Sequence, residues 1–344
     1  METQHRIHVD DAREMSALDD DAVELVVTSP PYPMIEMWDD LFADLDPGVA
    51  DALAADDGDA AFEAMHDALD PVWDELGRVL VDGGIAAINV GDATRSVGDH
   101  FRLFPNHAEL IDRLRERGFD LLPDVLWRKP VNSHAKFMGS GMVPPNAYAT
   151  LEHEYVLLFR NGPESREFEP GADRRYEAAY FWEERNRWFS DLWTDVQGET
   201  QALGHDDLRE RSGAFPFELP YRLVNMYSAY GDTVLDPFWG TGTTSLAAMV
   251  AGRNSVGYEL DSQFREVFDD RVEQVGALAD DLNRERLADH RAFADGDVDL
   301  GYEAENYDFR VKTKQERRIQ LYTVVDWRRE GDRYVVDHRP FGGA

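Results

Sequence analysis

The sequence predicts an α/β protein built on a parallel sheet, and three observations carry that prediction. Short apolar runs alternate along the 344 residues with segments whose apolar positions recur at three and four. One run, Val23 to Val27, ends against Thr28-Ser29-Pro30-Pro31-Tyr32, and two consecutive prolines cannot continue a central strand because they have no N–H for the ladder. Another, Thr233 to Asp236, leads through Gly240-Thr241-Gly242 into a helix of small residues and then a strand ending in Glu259, the order of a nucleotide-binding βαβ unit.

Taken in order, Ile7 to Val9 is a short strand ending at Asp10-Asp11, followed by a helical turn through Met15 and the strand from Val23; the short crossover makes the two strands parallel. That strand must stop at Ser29. The stiff loop beyond it presents a hydroxyl, free carbonyls and the Tyr32 ring at the carboxyl edge of a sheet, where open α/β sheets bind ligands. Residues Asp39 to Ala60 are acidic, rich in Ala and Gly and weakly periodic, and read as a mobile loop beside the Ser-Pro-Pro-Tyr site or, equally, as a solvated surface excursion with no role. From Phe62 to Leu80 the positions Phe62, Met65, Leu69, Val72, Trp73 and Leu76 have helical spacing despite Pro71, and Asp82-Gly83-Gly84 ends the segment. Ile85 to Val90 is the next strand. Leu103 to Arg117 reads as a helix closed by Gly118, with Arg113, Arg115 and Arg117 at its negative end.

Phe119 to Trp127 and Tyr155 to Phe159 are strands. The loop between them, Arg128 to Leu151, holds Arg128, Lys129, His134 and Lys136, which suit a phosphate backbone or ordinary surface charge equally. His153-Glu154 are polar caps or site residues, without a third ligand at metal spacing. Residues 163–212 break the βα rhythm, with Tyr176, Tyr180, Phe181, Trp182, Trp188, Phe189 and Trp193 interleaved among Arg174, Arg175, Arg185 and Arg187. That mixture suits stacking on bases and equally the core of an inserted subdomain. Pro216 to Tyr230 is a helix, Ser245 to Ala251 the small-residue helix, Ser255 to Tyr258 a strand and Phe264 to about Ala288 a charged helix. Strand-like Ile319 to Val325 and Tyr334 to Val336 lie in a basic stretch near the end.

The 69 acidic residues against 35 basic ones give a net charge of −34, and only four of the basic residues are lysine. An acid-rich, lysine-poor chain with ordinary aromatic content fits a salt-accumulating cell, where concentrated ions screen self-repulsion over about 3 Å. The acidity is therefore read as adaptation to solvent. The absence of cysteine excludes disulfides, thiolate nucleophiles and cysteine metal sites. The acidic first residues carry no apolar signal segment, and no stretch reaches the ~18 apolar residues of a membrane span, so a soluble cytoplasmic protein is expected.

The glycine loop does not suit a dinucleotide. A third glycine is missing, and Asp236 at the strand end would repel a pyrophosphate but attract a cation such as the sulfonium and ammonium of S-adenosylmethionine, while Glu259 is spaced to accept from ribose hydroxyls. On Asp236-Pro237-Phe238-Trp239-Gly240-Thr241-Gly242-Thr243, on Gly257-Tyr258-Glu259 and on Ser29-Pro30-Pro31-Tyr32, the chain resembles the amino-methylating DNA methyltransferases of the permuted (beta) class, in which the catalytic loop precedes the cofactor loop. Trp127-Arg128-Lys129-Pro130 and His153-Glu154-Tyr155 also fall in family-like places.

The resemblance implies an S-adenosylmethionine-dependent methyltransferase fold, a Rossmann-like seven-stranded sheet flanked by helices. It places the core at 1–162 and 213–275, a target-recognition insertion at 163–212 and a C-terminal extension at 276–344. It implies Ser29, Pro30, Pro31 and Tyr32 as catalytic residues, and Asp11, Phe215, Asp236, Pro237, Phe238, Gly240, Gly242, Thr243, Thr244 and Glu259 as cofactor-binding residues, with no metal. The implied activity is methyl transfer from S-adenosylmethionine to an exocyclic amine of double-stranded DNA. Ser29 resembles the cytosine-N4 members, with adenine N6 as the alternative and a non-catalytic nucleic-acid-binding protein as the rival from another class. A halophilic archaeal source, a CTAG site, a cognate restriction endonuclease and a monomer or homodimer complete the expectation.

Overall fold

The computed structural model describes residues 1–129, 138–139, 143–197, 215–296 and 298–342. In chain order its strands are β1 (Glu2–Val9), β2 (Val23–Thr28), β3 (Leu80–Val90), β4 (Ala93–Val97), β5 (His100–Phe104), β6 (Phe119–Leu121), β7 (Val125–Arg128), β8 (Met138–Gly139), β9 (Ala147–Tyr148), β10 (His153–Asn161), β11 (Leu192–Trp193), β12 (Thr233–Asp236), β13 (Asn254–Glu259), β14 (Tyr302–Glu303), β15 (Arg310–Val311), β16 (Tyr322–Glu330) and β17 (Arg333–Pro340). The helices are α1 (Asp39–Leu45), α2 (Pro47–Ala54), α3 (Gly58–Val79), α4 (Asn106–Glu116), α5 (Asp173–Glu177), α6 (Trp182–Trp188), α7 (Glu218–Tyr227), α8 (Thr243–Val250), α9 (Phe264–Val272) and α10 (Val275–Ala294).

One sheet of eleven strands organises the chain, in the order β11-β7-β10-β3-β2-β12-β13-β1-β17-β16, with β6 also paired to β10. From β3 across β2, β12 and β13 to β1 every pairing is parallel, and β10 returns antiparallel to β3. The register sets Thr28 opposite Ile88 and Asp236 opposite Gly257, so the carboxyl ends of β2, β3, β12 and β13 finish along one edge. Alternate side chains of β2 feed the two faces, as the period of a strand requires. Leu25 and Val27 join a cluster with Leu219, Leu223 and Leu246 of α7 and α8, while Val26 joins Met65, Leu69 and Trp73 of α3.

Several expectations are corrected. Residues 39–60 are not a mobile loop: α1 and α2 bury Phe42 and Val49, and Asp46 caps α2 by accepting from Gly48 N at 2.8 Å. Here one apolar residue per helix anchors a segment too acidic to look periodic. Asp82-Gly83-Gly84 does not end a segment but lies inside β3, as a bulge where the register with β2 shifts between Val23 and Leu25. Gly83 there has φ 74°, and a Cβ on it would overlap the backbone of Arg166. The Phe119 to Trp127 segment is two strands, because Pro123 has no N–H for the ladder. Leu103 and Phe104 belong to the β4–β5 hairpin, the segment through Met15 is a series of turns, and the long charged helix is two, α9 and α10.

Of the seven aromatic residues from Tyr176 to Trp193, three fill the core, while Tyr176, Tyr180 and Trp182 are half-buried and Phe189 is exposed. Phe181, Trp188 and Trp193 are fully buried, β11 adds to the sheet edge beside β7, and Trp127 donates its indole N–H to Val196 O at 3.0 Å. The last strands are longer than expected and extend the sheet, β17 pairing antiparallel with β1. Pro130, His134 and Lys136 of the basic loop, residues 198–212 and 213–214, and residues 343–344 lie outside the described residues.

Candidate active site at the carboxyl edge of the sheet

β2 and β12 are neighbours, and their ends are joined by a side-chain bond that spans 208 residues of sequence: Thr28 Oγ1 donates to Asp236 Oδ1 at 2.7 Å. The same oxygen accepts from Phe238 N at 3.1 Å, and Thr244 at the start of α8 donates to Val27 O at 3.2 Å. Ser29-Pro30-Pro31-Tyr32 and the glycine loop are thereby held side by side. Asp236 is only 3 % exposed, and burial pushes its carboxyl up to about 6 against the bonds from Thr28, Thr244 and Phe238.

The glycine loop has room where a ligand would need it. Gly240 has φ 50°, and a Cβ there would meet only Phe238 O at 3.9 Å, so the backbone faces open space. Gly242, with φ 74°, is instead forced by packing, since a Cβ would overlap Phe268. Arg271 holds the loop from beneath, donating to Thr241 O at 2.8 Å and Thr243 Oγ1 at 3.0 Å. Glu259, ending β13, accepts from Gly240 N at 2.8 Å and from Asp261 N at 2.9 Å; burial raises its pKa, and those two bonds oppose the rise. Its carboxylate therefore stands beside the loop. Pro237 is buried, Phe238 is half-buried and edge-on to Trp73 at 6.0 Å, and Thr243 and Thr244 are buried in the first turn of α8.

The remaining cofactor candidates are less engaged. Asp11 follows β1, whose Val9 pairs with Glu259, but its carboxylate is taken by Arg13 at 2.7 Å, beside a hollow lined by Asp10, Glu14 and Ser16. Phe215 is buried in the cluster beneath α7. Among the described residues no three His, Asp or Glu side chains are grouped to hold a metal ion.

Ser29 and Tyr32 lie in a polar cluster that the sequence pattern alone did not expose. Tyr32 Oη is 2.8 Å from Ser29 Oγ, accepts from Asn89 Nδ2 at 2.8 Å and donates to Glu154 Oε2 at 3.1 Å. Asn89 also donates to Glu154 Oε2 at 2.7 Å, and Lys129 Nζ reaches Glu154 Oε1 at 2.6 Å. Burial and the Glu154 charge hold the Tyr32 phenol well above its usual range. Gly91 lets the ring in: a Cβ there would lie 3.0 Å from Tyr32 Cε2. Asn89 was the missed residue, and its signal was a lone amide inside the apolar run Ile85 to Val90.

A sequence model of the DNA methylase family that covers N6 and N4 methylation matches residues 23–270, a span that contains both loops. The chain belongs to this DNA methylase family. This methylase is 50 % identical over 324 residues to the type II methyltransferase M.MthZI of Methanothermobacter thermautotrophicus, covering 94 % of this chain and 91 % of that one. It is 47 % identical over 281 residues to the type II methyltransferase M.MjaI of Methanocaldococcus jannaschii, covering 78 % and 91 %. Among solved structures it is similar to the TTHA0409 protein of Thermus thermophilus in complex with S-adenosyl-L-methionine, with a TM-score of 0.62, 33 % identity and coverage of 79 % and 94 %. The methylase thus has the S-adenosylmethionine-dependent methyltransferase fold, S-adenosylmethionine is its methyl donor and DNA is its substrate. The open backbone at Gly240 and the carboxylates of Asp236 and Glu259 fit that donor. The strands expected for the fold form the centre of the sheet, and the additional ones sit at its edges.

Proposed function

We propose that this DNA methylase transfers the methyl group to N4 of cytosine in a short duplex site, with the catalytic loop preceding the cofactor loop in the permuted order. The observation that carries the reading is the bond from Thr28 to Asp236, which sets a Ser-Pro-Pro-Tyr loop directly beside the glycine loop. S-adenosylmethionine, held by Asp236, the backbone at Gly240 and Glu259, supplies an electrophilic methyl on a sulfonium.

The chain's own residues prepare the amine. A flipped cytosine stacks on the Tyr32 ring while Ser29 Oγ and the Pro30 carbonyl accept from the amino group. Those bonds disfavour delocalisation of the nitrogen lone pair into the ring and aim it at the donor, and alignment of this kind supplies much of an enzyme's acceleration. No strong base is needed, because the amine becomes acidic once it carries the new methyl and a positive charge. A C5 product is excluded, since that chemistry starts with a thiolate and the chain has no cysteine.

Within the same reading, residues 163–212 take part in target recognition between the two parts of the core, and residues 276–344 extend it. The protein works in the cytoplasm of a halophilic archaeon on CTAG, alongside a cognate restriction endonuclease. The test is to digest methylated DNA to nucleosides and identify the modified one by mass spectrometry. N4-methylcytosine is expected, N6-methyladenine would move the activity to the adenine branch, and an unmodified product would leave a DNA-binding protein with a cofactor fold.

A further inference from the structure

The Ser29 hydroxyl has a defined sense, and its origin is Glu154. We propose that Glu154 is a positioning residue that commits the Ser29 hydrogen to Tyr32, leaving Ser29 Oγ as an acceptor only, so that the site takes an exocyclic amine and rejects a keto oxygen. The inference rests on the role of Ser29 proposed above and deepens it.

The number of hydrogens in the cluster fixes the direction of each bond. A phenol has one hydrogen to give, and a carboxylate has none. Glu154 Oε2 lies 3.1 Å from Tyr32 Oη and can only accept, so the Tyr32 hydrogen goes there. Asn89 cannot compete for it. Its amide nitrogen lies 2.7 Å from the same carboxylate oxygen and must be the donor end, because the reversed amide would set two acceptors against each other. The same NH2 gives to Tyr32 Oη at 2.8 Å. At the remaining 2.8 Å contact Tyr32 therefore accepts, and Ser29 donates. What Ser29 offers beyond the cluster is lone pairs.

The arrangement is built rather than incidental. Glu154 is 8 % exposed and Asn89 1 %, both fixed by the antiparallel register of β10 on β3, in which Val156 faces Asn89. Lys129 approaches Glu154 Oε1 at 2.6 Å and pins the oxygen that does not face Tyr32. Gly91 leaves no slack, since a Cβ would lie 3.0 Å from the Tyr32 ring and 3.3 Å from Glu154 Cγ.

Glu154→Gln made together with Asn89→Leu reverses the sense with little change in shape; the second change is needed because the Asn89 NH2, 2.7 Å from the same position, would otherwise face the new NH2, flip, and offer its own oxygen to the Tyr32 hydrogen. Lys129 keeps the amide oxygen, so the NH2 faces Tyr32 and donates to it; the Tyr32 hydrogen then turns to Ser29, and the Ser29 hydrogen is released toward the substrate. Tyr32→Phe frees the same hydrogen by another route with Glu154 intact. The probes are two duplexes carrying the methylation site, one natural and one with the target amine replaced by a keto oxygen, uracil for cytosine or hypoxanthine for adenine. Kd for each is measured with the wild type, both variants and Ser29→Ala, together with kcat and the KM for S-adenosylmethionine. The ease of flipping the altered base is common to all four proteins and cancels in the comparison. Both variants are expected to lower the ratio of keto to amine Kd by about tenfold, and to lower kcat with the cofactor KM unchanged. An unchanged ratio in the Glu154→Gln/Asn89→Leu double variant or in Tyr32→Phe, with kcat depressed in Ser29→Ala, overturns this inference and leaves the Ser29 role standing. An unchanged kcat in Ser29→Ala overturns the Ser29 role itself and this inference with it.

Discussion

Asp236→Asn should make the cofactor-free protein more stable and the cofactor bind worse. The carboxyl is buried at the end of β12 with a pKa of about 6, against 3.8 for an ordinary aspartate. Because the folded value is the higher one, ionisation opposes folding: the cost is absent below pH 3.8, grows as pH rises and is complete above 6. Two units correspond to about 3 kcal/mol at pH 8, and to roughly half of that at pH 5. Asparagine removes this cost and keeps the geometry. Its Oδ1 still accepts from Thr28 and Phe238, and its NH2 can donate to Thr244 Oγ1, whose own hydrogen then turns wholly to Val27 O. Urea unfolding at fixed, concentrated KCl should therefore find the variant more stable by up to about 3 kcal/mol at pH 8, with the gap narrowing toward pH 5. Calorimetry should find S-adenosylmethionine bound more weakly by about 1–3 kcal/mol at pH 8, and affinity that rises through pH 6 in the wild type but not in the variant. A variant no more stable than the wild type at pH 8, with no dependence of the difference on pH, would refute the account of a carboxylate held at a cost for its ligand.

Glu259→Ala should lose about 2 kcal/mol of S-adenosylmethionine affinity, since a charged acceptor is removed from buried hydroxyls; unchanged binding by calorimetry would remove the ribose assignment. Gly91→Ala should lower kcat by about tenfold without changing cofactor affinity, because the new methyl group pushes the Tyr32 ring out of line; steady-state kinetics with unaltered kcat would show that the ring position is not critical. Folding and activity should both rise with salt. The 69 acidic residues already crowd the available arginines, four carboxylates converging on Arg113 alone, so low ionic strength leaves the surplus unscreened. Circular dichroism and methylation assays showing a fully folded, most active protein in dilute buffer would contradict this.

Local pattern was enough for most of the central sheet and for both loops. The strand from Val23 was legible because a buried parallel strand must be continuously apolar, and its end because prolines cannot donate. The glycine loop was legible because backbone approach needs glycine, and α3 because its apolar residues recur at helical spacing despite Pro71. What pattern could not supply were matters of distant pairing. Asp82-Gly83-Gly84 looks like a stop and is a bulge, because its neighbours β2 and Arg166 decide whether the ladder continues. The aromatic residues Phe181, Trp188 and Trp193 suit bases or core equally until the fold claims them, Trp193 on the sheet edge beside β7, Trp188 in the cluster beneath it and Phe181 against Leu287, Ile319 and Leu321. Asp236 and Glu259 could be placed by spacing, yet the pKa of the first depends on burial that only the folded sheet creates. Above all, Ser29, Asn89, Lys129 and Glu154 are scattered over more than a hundred residues of chain, and none announces a partner. They meet because β10 pairs antiparallel with β3 while β2 lies parallel on its other side. Periodicity records which face of an element is buried; the hydrogen-bond register between elements decides which polar groups share an edge, and that register belongs to the tertiary structure.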